Sequence, residues 1–150
     1  MPSYENCSLD DLHFPIVSVT QSGTLYVHSN RNSLEVTHTT LIRRGWYHGM
    51  TIVDSNGEAY KVTKVVQLGG EGPFWGYSLF YARRVRLEIG LKYQHRMTLA
   101  EMKGTVSRAM KRDPHMWEAA LWENGVRGWE EKVQLTDSIS GIFELLASNQ

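Results

Sequence analysis

The sequence predicts an α+β fold. An antiparallel sheet of four to six strands occupies the N-terminal two-thirds, and two or three helices at the C-terminal end pack on one of its faces. Three observations carry this. Apolar residues alternate with polar ones over the first ~95 positions and then recur at helical spacing, so the two periods are segregated along the chain. The alternating runs are separated by glycine turns, Ser22-Gly23 and Asn56-Gly57 among them. At 150 residues and 41% hydrophobic, with no repeat or low-complexity tract, the chain suits one domain, 1–150, able to bury a core without staples. Residues 1–12 are polar and expected to be flexible.

The elements follow in order. Phe14 to Thr20, "FPIVSVT", and Thr24 to His28, "TLYVH", read as a hairpin closed at Gly23. A polar loop follows, then a short helix from Thr39 to Arg44 that Gly45 ends. "MTIVD" and "EAYKVTKVVQL" are the arms of a second hairpin. Its turn, Asp54 to Gly57, casts Asp54 as a turn stabiliser rather than a catalytic acid or metal ligand. Gly69 to Tyr77, "GGEGPFWGY", is a loop by composition. It misses the dinucleotide fingerprint by one residue and has no Gly-Lys-Ser/Thr, so its aromatics are expected to pack on the sheet.

Arg83 to Tyr93, "RRVRLEIGLKY", has the cleanest alternation. Val85, Leu87, Ile89 and Leu91 face in, and Arg84, Arg86, Glu88 and Lys92 face water. Thr98 and Glu101 form a capping box, ahead of an apolar stripe of Leu99, Met102, Val106 and Ala109, with Gly104 placed for close packing on the sheet. Asp113-Pro114 starts the next helix, which runs to Asn124-Gly125. "RGWEEKVQL" reads as a short helix. Thr136 or Asp137 caps the last one, whose buried face is Ile139, Ile142, Phe143 and Leu146.

Charge is zero overall but unevenly spread. Residues 31–112 hold 14 basic against 6 acidic side chains, a net +8, while residues 113–150 net −5. Zero net charge disfavours a nucleic-acid binder, although Arg43, Arg44, Arg83, Arg84 and Arg86 leave an anion-binding alternative. Cys7 is the only cysteine, so neither an internal disulfide nor a thiolate metal cluster is available. The six histidines show no His-x-x-x-His or His-Glu-x-x-His spacing, and no Gly-x-Ser-x-Gly elbow occurs. No catalytic, cofactor-binding or metal-binding residue is assigned. The start carries no signal-peptide pattern and no membrane-length apolar run exists, so a cytoplasmic location without membrane contact is expected.

What remains is surface character. Trp117, Glu118, Trp122, Glu123, Trp129, Glu130 and Glu131 alternate indoles with carboxylates, as a docking face for a basic partner would. The competing reading is that the tryptophans face the sheet and the glutamates are simply solvated.

The layout "RRGWYHGMTIVDSNGEAYKV", then "GPFWGYSLFYARRVRLEI" and a helical tail, resembles small bacterial immunity proteins of toxin loci. The resemblance implies a non-enzymatic protein that occludes one cognate toxin, for example a basic nuclease. The alternative is a small enzyme or ligand-binding domain using the Gly69–Tyr77 loop.

Overall fold

The computed structural model describes residues 7–76, 83–117 and 128–147. Its centre is a six-stranded antiparallel sheet in the order β2-β1-β4-β5-β6-β3. The strands are β1 (Ile16–Val19), β2 (Leu25–His28), β3 (Val36–His38), β4 (Thr51–Asp54), β5 (Glu58–Gly70) and β6 (Arg84–Arg96). The helices are α1 (Asn32–Glu35), α2 (Thr39–Arg43), α3 (Leu99–Arg112), α4 (128–135) and α5 (Ile139–Ala147). Both expected hairpins are present: β1 pairs with β2 through Val17↔Val27, and β4 with β5 through Ile52↔Tyr60. Gly57 turns the second at φ 86°, which its lack of a Cβ permits.

Side-chain alternation gives the sheet two buried faces. Val17, Leu25, Val53 and Ala59 point to the side covered by α3, α4 and α5, where Met102, Val106, Trp129, Ile142 and Phe143 complete one core. Their sequence neighbours Ile16, Ile52 and Tyr60 point the other way. With Val85, Leu87, Ile89 and Leu91 they form a second core, closed by Leu9, Leu12, Leu34 and Met50. The long pair β5–β6 stays in step through register shifts between Val62 and Lys64 and between Gln67 and Gly69. The first of these puts Val65, three residues beyond Val62, back on the same side as Tyr60.

Four local expectations change. The polar loop after β2 holds α1 and β3, and β3 is too short and too polar to show a period. Asp113-Pro114 opens a 3-10 turn, Pro114–Trp117, and the helix expected beyond it lies outside the described residues. The last helix is capped by Ser138, whose Oγ accepts the Gly141 N–H at 3.0 Å. Thr136 instead donates its hydroxyl to the Lys132 carbonyl at 2.9 Å. Gly104 does not serve close packing on the sheet, since a Cβ there would meet only the Arg108 side chain, 3.2 Å away. The capping box of α3 is as expected: Thr98 Oγ1 accepts the Glu101 N–H at 3.1 Å, and Glu101 accepts the Thr98 N–H at 2.8 Å.

Candidate functional site

The sequence places its docking face at the C-terminal end, and the structure sinks two of that face's three rings. Trp117 and Trp129 are 8% and 1% exposed, with ring centroids 5.8 Å apart inside the helix-side core. Trp129 Nε1 is buried and finds no acceptor among the described residues. These two indoles therefore hold α4 to the sheet and offer a partner no ring face. Glu130 is half-buried and takes the Lys111 ammonium at 2.7 Å, while Glu131 is exposed. Glu118, Trp122 and Glu123 lie outside the described residues.

The groups that could carry chemistry have structural work. Asp54 is fully buried and accepts three backbone N–H groups, from His13 at 3.3 Å and from Asn56 and Glu58 at 3.0 Å. That is turn and strand-end stabilisation. His28 lies between two hydroxyls, with Nε2 2.8 Å from Ser18 Oγ and Nδ1 2.6 Å from Ser33 Oγ. Burial holds its pKa down at about 4, so the ring is neutral at pH 7. No group of three or more metal-ligating side chains converges among the described residues.

The exposed end of the β5–β6 hairpin is different. Here the glycines of the 69–77 loop serve close backbone approach rather than a phosphate. A Cβ on Gly70 would lie 1.7 Å from the Trp75 carbonyl oxygen, and one on Gly76 would lie 2.0 Å from that of Arg84. The chain is thus drawn tightly over the strand ends, and within the same turn Trp75 sits at φ 54°, the one positive φ outside glycine among the described residues. A bulky residue in the left-handed region costs about 1–3 kcal/mol. The Arg83 side chain holds the turn by donating Nε–H to the Trp75 carbonyl at 3.2 Å.

Trp75 contradicts the expectation that this loop's aromatics pack on the sheet. Trp75 is 77% exposed, and Leu68 on β5 is 58% exposed. Tyr77 lies outside the described residues.

Behind this end runs a chain of charges. Arg31 bridges Asp10 and Glu35, and Arg86 bridges Glu35 at 3.1 Å and Glu71 at 3.1 Å. Glu35 is nearly buried between the two guanidiniums. The hydrogen bond from Arg86 holds the Glu71 carboxyl below its usual range, and the same bond raises Arg86. Arg86 is therefore not a loose anion ligand, which removes one member of the basic set. Arg43, Arg44 and Arg84 remain exposed. Among the described residues no helix is long and apolar enough to cross a membrane. No family model, curated protein or solved structure matches the chain.

Proposed function

We propose that the protein is a non-enzymatic binding domain that docks a partner protein through the end of its β5–β6 hairpin, as an immunity-type inhibitor occluding a cognate bacterial toxin would. The observation that carries this reading is Trp75: a large ring 77% exposed, on a backbone held at φ 54°. Leu135 is also exposed, at 85%, but it sits at the end of a helix without strain, and single exposed leucines are ordinary. A strained residue that displays an indole to solvent gains nothing for the fold. Tryptophan is the side chain that most often dominates an interface when a partner pocket closes over it.

The surroundings name the partner's electrostatics. Arg83 and Arg84 flank the hairpin end, and Arg86 behind them is already neutralised by Glu35 and Glu71. The complementary surface on a partner is an acidic rim around an apolar pocket. This replaces the basic-nuclease version of toxin occlusion, whose anchoring rings Trp117 and Trp129 belong to the core.

The test is comparative capture. Wild type and Trp75→Ala are immobilised and exposed to lysate of the expressing cell, and the partner retained by wild type alone is purified and titrated. The expected loss on Trp75→Ala is at least about 30-fold in Kd, the scale of a tryptophan hot spot. An equal Kd for both chains would remove the hairpin end from the interface. Retention of a metabolite in place of a protein would favour the small-ligand reading.

A further inference from the structure

Strand β6 pairs with β5 along one edge for nearly its whole length, but along the other edge it has two short partners with an interval between them. β3 covers Arg84 to Arg86, and the main chain of Cys7 covers Leu91. Successive residues of a strand send their N–H and C=O to alternate edges. Cys7 N–H donates to Leu91 C=O at 3.0 Å, Leu91 N–H to Cys7 C=O at 3.1 Å, and Thr39 N–H to Arg83 C=O at 2.9 Å. Odd-numbered residues of β6 therefore face this edge. Ile89 sends both its N–H and its C=O into the interval, and no strand, turn or loop among the described residues bonds them there.

The interval borders a cavity. It lies in a groove of about 660 Å³ with Ser8 and Asp10 on one wall, Asn32 and Glu35 on the other, and Ile89 and Gly90 along the floor. Arg31 ties Asp10 to Glu35 from one wall to the other, and Arg86 ties Glu35 to Glu71, so these guanidiniums spend their charge within the protein. Beside the floor, Lys64 and Glu88 are exposed, and neither has an ion pair among the described residues.

We propose that this interval of β6 is a strand-addition site that takes an extended polypeptide segment of a partner protein. A donor and an acceptor on one residue, aimed along one edge, are matched by the reciprocal pair of another extended backbone. Val36 and Cys7 hold the same edge on either side, opposite Arg86 and Leu91, so the segment makes one reciprocal pair of backbone bonds, with Ile89, and turns out of the groove at both ends. Glu88 and Lys64 select a segment with one basic and one acidic side chain on the face turned toward them. The site does not use Trp75, and its test does not depend on the hairpin end.

The probe is a peptide chosen from a random octapeptide display library and synthesised twice, once unmodified and once N-methylated at its central residue. Both forms are titrated into the isotopically labelled wild-type chain. The expected result is that the unmodified peptide slows hydrogen exchange of the Ile89 amide at least about tenfold, leaves the Val85 and Leu91 amides as they were, and binds at least about tenfold tighter than the N-methylated form. Asn32→Trp, which fills the groove from an exposed wall position, should abolish binding.

The N-methyl comparison needs no protein variant, so misfolding cannot produce it. Equal binding of the two peptides would overturn the proposal, as would protection of other amides in place of Ile89 or binding no better than a scrambled control. Protection of Ile89 that grows with protein concentration in the absence of peptide would assign the edge to a second copy and overturn it equally.

Discussion

Three side chains define the protein at the residue scale, two hidden and one displayed. His28 is the first of the hidden pair. Its pKa falls from 6.5 in the unfolded chain to about 4 in the fold because burial penalises the charged ring. Between those values the unfolded chain binds more protons, so stability is full above pH ~6.5 and declines as pH falls toward 4. The loss at the acid end is about 3 kcal/mol, since each tenfold fall in the ring's proton affinity is worth about 1.4 kcal/mol. Urea midpoints at pH 7 and pH 4.5 should therefore differ more for wild type than for His28→Gln. Asp54 is the other hidden group with a measurable task. Asp54→Ala leaves three backbone donors without their acceptor and should lower unfolding stability by about 3 kcal/mol in chemical denaturation.

Trp75 is the displayed residue, and its strain is testable without a partner. Trp75→Gly relieves the left-handed φ of 54°. It should raise stability or leave it level, where a glycine placed in ordinary extended or helical backbone lowers it. A clear fall in Tm would show that the indole has a packing role.

Capping and turn chemistry are largely legible in the sequence at the element scale, because both act over three or four neighbouring residues. The Thr98/Glu101 box and the Asn56-Gly57 turn are where the sequence puts them. Thr98→Ala should cost about 1 kcal/mol, read as a lower Tm for the whole domain. The elements that escape such reading are those whose residues satisfy one another at long range. β3 has three residues and owes its strand state to Val85 opposite Thr37. α1 is anchored by Leu34 in the core and by Glu35 between Arg31 and Arg86, 51 positions further on for the second guanidinium. The last helix shows the limit of local reading: the sequence offers Thr136 and Asp137 as caps, and the cap in the structure is Ser138, the next residue along.

The candidate site is less legible than the fold. Trp117, Trp129 and Trp75 look alike as letters, and their fates differ through context. The first two fall on faces turned toward the sheet, while the third is fixed in a tight turn by Gly70 and Gly76. The glycine spacing does carry a signal for this, but as the mark of a backbone crossing, which has no fixed motif of the kind phosphate loops have. The basic strand has a similar ambiguity. Alternation identifies Arg84, Arg86 and Lys92 as outward, yet only the approach of α1 and the 69–77 loop makes Arg86 a paired group.

For the whole molecule, the sheet has a core on each side, and β5–β6 extends past the stretch that α3, α4 and α5 cover. Among the described residues the helices pack on one end, and Trp75, Leu68 and the groove at Ile89 lie toward the other. The two ends also differ in charge, so their contributions to association separate. Arg83→Glu with Arg84→Glu should slow partner association and reduce its dependence on salt, whereas Glu130→Lys with Glu131→Lys should leave the rate within about twofold.

The hairpin end is the surface through which we propose the partner docks. Site-specific photocrosslinking in the cell that makes the protein measures it most directly, with a benzophenone amino acid placed once at position 75 and once at position 131. One protein should be joined at position 75 and little or none at position 131, and that protein, once purified, should bind wild type with an affinity that Trp75→Ala weakens. Crosslinking of one partner mainly at position 131, with position 75 silent, would contradict it.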